Sequence, residues 1–501
     1  MFVNLALRNL THRPSRSALL LGGYGLGVGV MIVLLAIGEA LLTQARDEKL
    51  VGGGAVTVLP EGLDIEVMKT GGVGGLFFSI DRAKFIYRQL LASPRLAGVV
   101  SSAAPQIDGK LLYLRAANRE WPVRASGEIP SRSARVGAAP TVVEGNWTDD
   151  QSDRRWMTPT PLELYSEIDR FHVPPEDLDN RDSWGEWHYF NVLSPDRARW
   201  AFISFIVGGD ASRGPSADSV WGGQIAISVR EQGGATRKFV AQSPAHAVRF
   251  STSSADLTIG ASTVTVLGDG RYSLHAVARE EKTGAPLALD LVVSPAARAF
   301  FPGAALSSGA FTSGYTVPGL RASATGTLCI ASSCERYEAA QSYHDHNWGV
   351  WRGVSWEWGA SRAGDFTFLY GRVRSPDGST AAAPLFLYLV DSLGFRSLFR
   401  PKQISYVDGR TITVNGATVR VPSHAVMEDA RGADTLRVEL EIEDAIGTDT
   451  RRPLIERGDA SAARALRTPY FIQMKGTATL SGRIAGERVH GAGTGFFETY
   501  R

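Results

Sequence analysis

The segment Tyr343–Gly349, with the sequence Tyr-His-Asp-His-Asn-Trp-Gly, is the densest group of side chains in this chain that could do chemistry. Trp351, Trp356 and Trp358 follow it closely, although the whole chain has only 9 histidines and 11 tryptophans. An acid beside an imidazole can protonate an alkene, and indole faces can stabilise the carbocation that forms. The segment therefore predicts acid–base chemistry in an aromatic pocket.

Two other interpretations of this segment stay open. His344 and His346 could chelate a metal ion together, but the third ligand would have to come from a distant part of the chain. Because no motif supplies that ligand, we predict no metal and no other cofactor. Alternatively, the polar side chains could hydrogen-bond a junction between two domains, which would be a structural role.

The element that carries this segment decides which of its side chains meet. Successive side chains of a β-strand point to opposite faces of the sheet. A strand would therefore present two sets of side chains: Tyr343, Asp345 and Asn347 on one face, and His344, His346 and Trp348 on the other.

Strand patterns recur at short intervals from about residue 183 to the C-terminus, and helical periodicity is almost absent there. Many of them alternate apolar with polar residues, which is typical of a sheet with one covered face. Trp200–Val207 and Leu436–Ile442 are examples of these strand patterns. Their density changes near residue 340. We predict a mainly β fold with two antiparallel β-barrels in series, over 183–340 and 341–501.

Several short segments have the composition of hairpin turns, among them Asp408-Gly409 and Asn415-Gly416. Cys329 and Cys334, the only cysteines, flank another turn and could face each other across it. They would form a disulfide in an oxidising compartment, and otherwise they would be small buried apolar residues.

An uncharged run of 22 residues separates Arg16 from Glu39, and a helix of that length crosses the apolar core of a bilayer, about 30 Å thick. The charges before the run are all basic, whereas those after it nearly cancel, which places the N-terminus in the cytoplasm. We predict a cytoplasmic segment over 1–16, a transmembrane helix over 17–42 and a single-pass protein of the bacterial inner membrane. Its C-terminal bulk would be periplasmic. A cleaved signal peptide is the alternative, but no A-x-A site follows the run.

Residues 50–145 combine one helix-like pattern with short strand-like segments. Ile80, Ile86 and Leu90 share a face at helical spacing, and Leu111–Arg115 reads as a strand. These patterns predict a small α+β periplasmic domain. The polar stretch 146–182, rich in proline and aspartate, predicts a linker to the first barrel.

The N-terminal portion resembles the start of the permease subunit of ABC transporters of the macrolide-exporter type. Asn4–Leu10, Arg13–Arg16 and Leu91–Val100 carry the resemblance. Such permeases have further membrane-spanning helices, and no second stretch of this sequence is apolar enough to be one. The resemblance therefore implies a membrane anchor with a periplasmic head domain, and an ABC transporter as a possible partner.

From about residue 180 to 501, the chain resembles the carotenoid 1,2-hydratase and AttH-like family. Tyr343–Gly349, Ser355–Gly359 and Glu186–Asn191 carry this resemblance. The family implies two lipocalin-like barrels with a ligand pocket near their junction. Its known members include cofactor-independent hydratases of acyclic carotenoids, and relatives catalyse cycloadditions of polyketides.

The resemblance also implies roles for particular residues. The essential histidine and tryptophan of the hydratases fall on His346 and Trp348. Their later Tyr-x-Asp pair falls on Tyr370 and Arg372, so the tyrosine is kept and the aspartate is not. An arginine stays protonated and cannot donate the proton, so another acid, Asp345 or Asp365, would have to do so.

We therefore predict cofactor-free, hydratase-like acid–base chemistry on an isoprenoid or other lipophilic substrate drawn from the membrane. In this reading His346 and Asp345 handle the proton, with help from Trp348 and Tyr370. The residues predicted to bind the substrate are Trp187, Tyr343, His344, Trp356, Trp358 and Arg372. The alternative is a non-catalytic accessory protein that binds a lipid or hydrophobic metabolite for an ABC exporter.

Two contacts would separate these functions. A carboxylate buried against His346 favours the enzyme, and an ion pair of Arg372 across the site favours the carrier. The bulk charge gives no support to a third function, because 53 basic and 51 acidic side chains nearly cancel and no basic run stands out. Nucleic acid is therefore not an expected partner.

Overall fold

The computed structural model describes residues 14–47, 55–56, 58, 80–91, 93–117, 119–137, 147–214, 221–308, 311–351, 353–374, 384–451 and 460–501. The chain divides into two compact units. One comprises Met1–Ser79 and Val100–Asp150, and the other comprises Ile80–Val99 and Gln151–Arg501. The described helices are α1 (Pro14–Asp47), α2 (Ile80–Leu91), α3 (Pro130–Arg135), α4 (Gln151–Met157), α5 (Pro161–Ile168) and α6 (Ala460–Ala465).

The first unit contains the apolar helix α1. Within the described part of the chain it is the one helix long and apolar enough to cross a membrane, over Pro14–Gly38. The predicted N-terminal apolar helix is thus confirmed, while most of the predicted cytoplasmic segment lies outside the described residues. The unit also holds α3 and an antiparallel hairpin of β1 (Gln106–Ala116) and β2 (Arg119–Glu128).

The first sheet of the second unit has twelve antiparallel strands. They are β3 (Trp184–Leu193), β4 (Arg199–Gly208), β5 (Gly222–Glu231), β6 (Thr236–Pro244), β7 (Val248–Phe250), β8 (Leu257–Ile259), β9 (Ser262–Val266), β10 (Tyr272–Glu280), β11 (Pro286–Pro295), β12 (Phe301–Ser308), β13 (Phe311–Ile330) and β14 (Ser333–Val350). Eight of them close into a barrel in the order β11-β13-β14-β3-β4-β5-β6-β10, because β10 also pairs with β11. One large apolar core fills this barrel, as the alternation of buried residues along strands such as β5 requires.

The second sheet has nine antiparallel strands. They are β15 (Ser355–Ala363), β16 (Phe366–Arg374), β17 (Phe386–Asp391), β18 (Gly394–Phe399), β19 (Ser405–Val414), β20 (Ala417–Arg431), β21 (Asp434–Asp449), β22 (Tyr470–Ile484) and β23 (Glu487–Tyr500). Their order is β18-β17-β16-β15-β23-β22-β21-β20-β19, and among the described residues the edge strands β18 and β19 do not pair. Phe399 of β18 and Val421 of β20 belong to one core, so the sheet curls around it.

The predicted mainly β fold is confirmed, and the structure shifts the border between its two sheets. β14 pairs with β13 on one side and with β3 on the other, so residues up to Val350 belong to the first sheet. The second sheet begins at Ser355. The predicted border at 340/341 therefore falls inside β14. The change in the density of strand patterns near residue 340 does not mark the end of the first sheet.

Two predicted boundaries before the barrel also change. Helix α2 belongs to the β-rich unit, where Phe85 packs edge-on against Phe300 and lies 6.0 Å from the ring of Phe395. The predicted linker 146–182 contains α4 and α5. Lys84 and Arg88 of α2 both bind Glu167 of α5, at 2.8 and 2.9 Å. Residues from Gln151 onward are therefore part of the β-rich unit, and the border between the two units falls at Asp150/Gln151, near the start of the predicted linker.

The predicted turns are right in one case and wrong in another. Asn415 and Gly416 both have positive φ and join β19 to β20, as a tight hairpin requires. Asp408-Gly409 instead forms an irregularity within β19, where the register shifts. Cys329 and Cys334 lie opposite each other on β13 and β14 and form the predicted disulfide, with Cα atoms 3.9 Å apart.

Candidate functional site

Strand β14 separates two groups of polar side chains, and the predicted division into two faces is what the structure shows. His344 and His346 point into the barrel, where Phe190 and Tyr272 of the barrel core contact the His344 ring. Asp345, between them in sequence, makes its hydrogen bonds on the other face, toward the second sheet. Asp345 and His346 are therefore not the acid–imidazole pair that adjacency in the sequence indicated.

The group inside the barrel consists of six ionisable residues, which we term the histidine cluster: Asp169, His172, Glu186, His188, His344 and His346. Asp169 lies at its centre and is fully buried. Its Oδ2 accepts hydrogen bonds from Tyr272 Oη at 2.6 Å and from His344 Nε2 at 3.0 Å. Its Oδ1 lies 2.6 Å from His346 Nδ1 and 3.6 Å from His188 Nδ1.

Asp169 reaches the cluster from α5, in the segment that the sequence predicted to be a linker. The helix begins with a capping box between Thr160 and Glu163 and has Pro161 at its first position, so its start is fixed locally. Asp169 caps the other end, and its N–H donates to the carbonyl of Tyr165 at 2.7 Å. This geometry aims the carboxylate at the imidazoles.

The imidazole of His346 lies between two buried carboxylates. Besides its Nδ1 contact with Asp169, its Nε2 lies 2.8 Å from Glu186 Oε1, an ion pair that is not aligned as a hydrogen bond. Burial by itself lowers the pKa of His346, but the hydrogen bond to Asp169 and the charge of Glu186 outweigh burial and raise it to about 9. His346 is therefore a cation at neutral pH.

Asp169 and His188 have pKa values shifted in the direction that stabilises this arrangement. Burial would raise the pKa of Asp169, but the facing imidazoles, above all that of His344, hold it well below its usual range. Burial lowers the pKa of His188 well below its usual range, so its ring is neutral. Glu186 also binds His172, whose backbone N–H donates to both carboxylate oxygens at 2.8 and 2.9 Å.

Aromatic rings fix the orientation of the outer imidazoles. Phe190 stacks on His344 with ring centroids 4.0 Å apart, and Trp348 stacks on His172 at 3.9 Å. Gly314 lies opposite Trp348 on β13, where a Cβ would approach the indole to 2.3 Å, so only glycine leaves room for the ring. Trp348 is thus a neighbour of the cluster, as predicted, and its contact is with His172.

The group on the other face of β14 contains two carboxyl groups with raised pKa values, Asp345 and Glu498, which we term the carboxyl pair. Asp345 accepts hydrogen bonds from Tyr343 Oη and Asn347 Nδ2, both at 2.7 Å. Tyr343 Oη in turn accepts one from Trp358 Nε1 at 2.8 Å. Burial raises the pKa of Asp345 to about 6.

Glu498 comes from β23, the last strand of the chain. Its Oε2 accepts a hydrogen bond from Trp356 Nε1 at 2.8 Å, and its Oε1 accepts one from Gln473 Nε2 at 3.2 Å. Burial and then the charge of Asp345 raise the pKa of Glu498 to about 7. A carboxyl group with this pKa is protonated in a large fraction of molecules at neutral pH.

A set of partly buried aromatic rings adjoins the carboxyl pair, and we term it the aromatic cluster. Trp356 is its centre, with ring centroids 4.9 Å from Tyr500, 5.3 Å from Phe471 and 5.6 Å from Trp351. Trp187 contacts Trp351 at 5.1 Å. Each of these side chains is only partly buried.

The remaining predicted site residues are in other surroundings. Tyr370 is fully buried in the core of the second sheet, and its hydroxyl has no hydrogen-bond partner among the described residues. Arg372 forms an ion pair with Glu357, its cross-strand neighbour on β15, and Arg374 binds the same carboxylate at 3.4 Å. The charge of Arg372 is therefore neutralised within its own sheet, and Arg372 belongs to neither the histidine cluster nor the carboxyl pair.

Five ionisable residues of these two groups were missed in the sequence. Glu186 and His188 carry a usable signal in the sequence, because they alternate on the strand segment Glu186–Asn191. In the structure they pair in register with Trp348 and His346. His172, Asp169 and Glu498 lie in no motif. They join the site only through the packing of α5 and the following segment on the barrel and through the pairing of β23 with β15.

Comparisons with known proteins give a remote likeness. No protein-family model and no curated protein matches the sequence. An AttH candidate from Nitrosomonas europaea, solved by crystallography, is 16% identical with a TM-score of 0.43, over 66% of this chain and 97% of that one. CghA in complex with Sch210972 is 15% identical with a TM-score of 0.40, over 68% and 96%. Kievitone hydratase from Nectria haematococca is 12% identical with a TM-score of 0.39, over 66% and 94%.

At these scores and identities, nothing about the site is carried over from those structures. The function of this chain is argued below from its own side chains.

Proposed function

We propose that this chain is a membrane-anchored, hydratase-like protein that adds water to a carbon–carbon double bond of an isoprenoid or similar lipophilic molecule. The observation that carries the proposal is the position of the carboxyl pair, Asp345 and Glu498, beside the aromatic cluster. Acid, indole rings and partial exposure come together there. The histidine cluster lacks that exposure, because five of its six members, including His346, are fully buried.

Glu498 is the group best suited to give the first proton. Its O–H would protonate one alkene carbon, which forms a C–H bond and leaves a cation on the other carbon. The faces of Trp356 and Tyr500 would stabilise that cation. Water then attacks the cation, and the carboxylate of Glu498 takes back a proton from the attacking water, so the net change is the addition of one water molecule.

The charge of Asp345 favours the protonated form of Glu498. Two carboxyl groups in one low-dielectric site do not readily ionise together, so a charge on one favours the proton on the other. Tyr343 and Asn347 hold the charged form of Asp345 by donating hydrogen bonds to it. In this arrangement Asp345 is the ionised partner and Glu498 the acid.

This assignment supplies the acid that the hydratase family has at the position of Arg372. Arg372 stays protonated in its ion pair with Glu357 and is not an acid, and Tyr370 lies in the core. Two contacts were expected to separate an enzyme from a carrier. The contact expected of an enzyme, a carboxylate buried against His346, is present, since Asp169 and Glu186 lie against its ring. Arg372 does not bridge a site, so its ion pair lends no support to the carrier.

Membrane attachment fits a lipophilic substrate. Helix α1 is long and apolar enough to hold the chain at a bilayer, where such molecules partition. A carrier for an ABC exporter would use the same aromatic cluster without chemistry, so the two functions predict different fates for the bound molecule.

Mass spectrometry of the full-length protein in detergent tests the proposal. Lipophiles extracted from the purified protein would be identified before and after incubation in ¹⁸O-labelled water. We expect molecules that gain one labelled water or a labelled hydroxyl. A lipophile that is retained but never labelled would favour the carrier, and a protein that retains no lipophile from its host membrane would contradict both functions.

A further inference from the structure

We propose that Asp169, His188 and His344 form a binding site for a divalent first-row transition metal inside the barrel. The proposal goes beyond the hydratase function, because these residues lie on the opposite face of β14 from the carboxyl pair. Metal content can also be measured without any turnover. The sequence predicted no metal because the third ligand had no motif, and the fold supplies it.

The distances between the three donors suit a metal site. Each residue offers one ligand atom, and these atoms all lie within 4.8 Å of one another. Asp169 Oδ2 lies 3.0 Å from His344 Nε2, and Asp169 Oδ1 lies 3.6 Å from His188 Nδ1. Donors bound to one metal at about 2.0–2.2 Å are separated by about 3–3.5 Å, so small side-chain adjustments would complete the site.

His188 provides the observation that hydrogen bonding does not explain. It is fully buried, and neither ring nitrogen has an aligned hydrogen bond to any described residue. The backbone of Ala255 approaches the ring without meeting hydrogen-bond geometry. Burying an unsatisfied polar group is costly, and an imidazole that faces a carboxylate and a second imidazole gains a partner when a metal binds.

The surroundings of His344 have the form of a metal-ligand support. Its Nδ1 lies 3.0 Å from the carbonyl oxygen of Tyr189, and its Nε2 lies 3.0 Å from Asp169. Both neighbours are acceptors, so the ring has an acceptor at each of its nitrogens. With a metal on Nε2, the Nδ1–H donates to the Tyr189 carbonyl, which is the usual way a ligating histidine is oriented.

The carboxylate of Asp169 is supported in the same way. Tyr272 Oη donates to it at 2.6 Å, and His346 Nδ1 lies 2.6 Å away on the other oxygen. Outer donors of this kind fix a ligating carboxylate and are a regular feature of metal sites. Two imidazoles and one carboxylate, without a thiolate, suit Zn²⁺, Fe²⁺, Co²⁺ or Mn²⁺.

The second possible set, His172, Glu186 and His346, is the competing assignment. It is the weaker one, because each of its residues already has an aligned hydrogen bond. His172 binds Glu186 through its backbone N–H and its ring, and His346 Nδ1 lies 2.6 Å from Asp169 Oδ1. His188, in the first set, has no aligned hydrogen bond to any described residue.

The test uses full-length protein expressed with Zn²⁺ or Co²⁺ and purified without chelator. We expect a stoichiometric metal content by inductively coupled plasma mass spectrometry. The Co²⁺ protein should have an absorption spectrum typical of nitrogen and oxygen ligands. His188→Gln and Asp169→Asn should lose the metal. His172→Gln should keep it, and so should His275→Gln, which changes an exposed histidine on β10.

Three results would overturn the proposal. The first is wild-type protein without stoichiometric Zn²⁺, Fe²⁺, Co²⁺ or Mn²⁺, and the second is a folded His188→Gln variant that keeps its metal. The third is loss of metal in His172→Gln, which would assign the metal to the competing set. If His188→Gln fails to fold, X-ray absorption of the wild-type metal decides instead, since two imidazoles are expected in its first shell and none would contradict the site.

Discussion

His188 and His346 lie directly opposite each other on β3 and β14, with ring centroids 4.1 Å apart inside the barrel. Both are fully buried, and burial acts to lower the pKa of each ring. The pKa of His346 is nevertheless raised, because Asp169 and Glu186 lie against it, whereas His188 has no aligned partner. The two facing imidazoles therefore have pKa values shifted in opposite directions, and the proposed metal site uses the one without an aligned partner.

His346→Ala should destabilise the protein strongly. The change removes the cation between two fully buried carboxylates, and removal of one partner of a buried ion pair costs about 3–5 kcal/mol. The free energy of unfolding in urea measures this. His275→Ala, which removes an exposed histidine paired with Asp290, is the control and should change it by less than about 1 kcal/mol. A stable His346→Ala variant that no longer captures a lipophile would return His346 to the direct role implied by the family resemblance.

The pKa of Glu498 predicts how stability depends on pH. Its folded pKa of about 7 is above the ordinary value of 4.5, so the folded protein binds the proton more tightly than the unfolded chain does. The resulting stability is fully present below pH 4.5 and is lost as pH rises through about 7. Glu498→Gln cannot ionise, so between pH 4.5 and 7 the wild type should lose stability relative to this variant. Parallel pH dependences of the two melting temperatures would argue against the raised pKa.

Helix α1 should determine where the protein is found. A chain that begins near residue 50 and is exported should be soluble, whereas the full chain should sediment with the inner membrane. Fractionation of cells that express either form is the measurement. Full-length chain recovered free in the periplasm would identify the apolar run as a cleaved signal.

The disulfide between Cys329 and Cys334 should protect both thiols from alkylation. Protein that is unfolded without reductant should take up no alkylating label, and reduction beforehand should allow both cysteines to react. Labelling of both cysteines without reduction would show that the hairpin ends in two free thiols.

The sequence predicted the local parts of this structure better than the contacts between distant segments. Alternation along β14 was enough to place Asp345 and His346 on opposite faces, because side-chain direction in a strand depends only on position. The partners of those residues could not be predicted in this way. Asp169 reaches His346 from 177 residues away, and Glu498 reaches Trp356 from 142 residues away.

The missed acids also show why composition misled the search for a linker. The stretch before the barrel is polar and rich in proline, yet it supplies Asp169, a fully buried carboxylate of the histidine cluster. The carboxylate lies inside the barrel, where a buried charge needs several hydrogen-bond donors. In the sequence, a polar stretch that supplies such a residue looks the same as a polar stretch at the surface.

The initial rate of water addition by Glu498→Gln, compared with Glu487→Gln, tests the central claim most directly. Both variants change a glutamate of β23 to its amide, but Glu487 is an exposed partner of Arg396. With the lipophile identified from the purified protein as substrate, Glu498→Gln should lower the rate about 10²–10⁴-fold, the usual loss for a general acid. Glu487→Gln should keep the wild-type rate, which should fall as pH rises through about 7. Equal rates for the two variants would contradict the assignment of Glu498 as the acid.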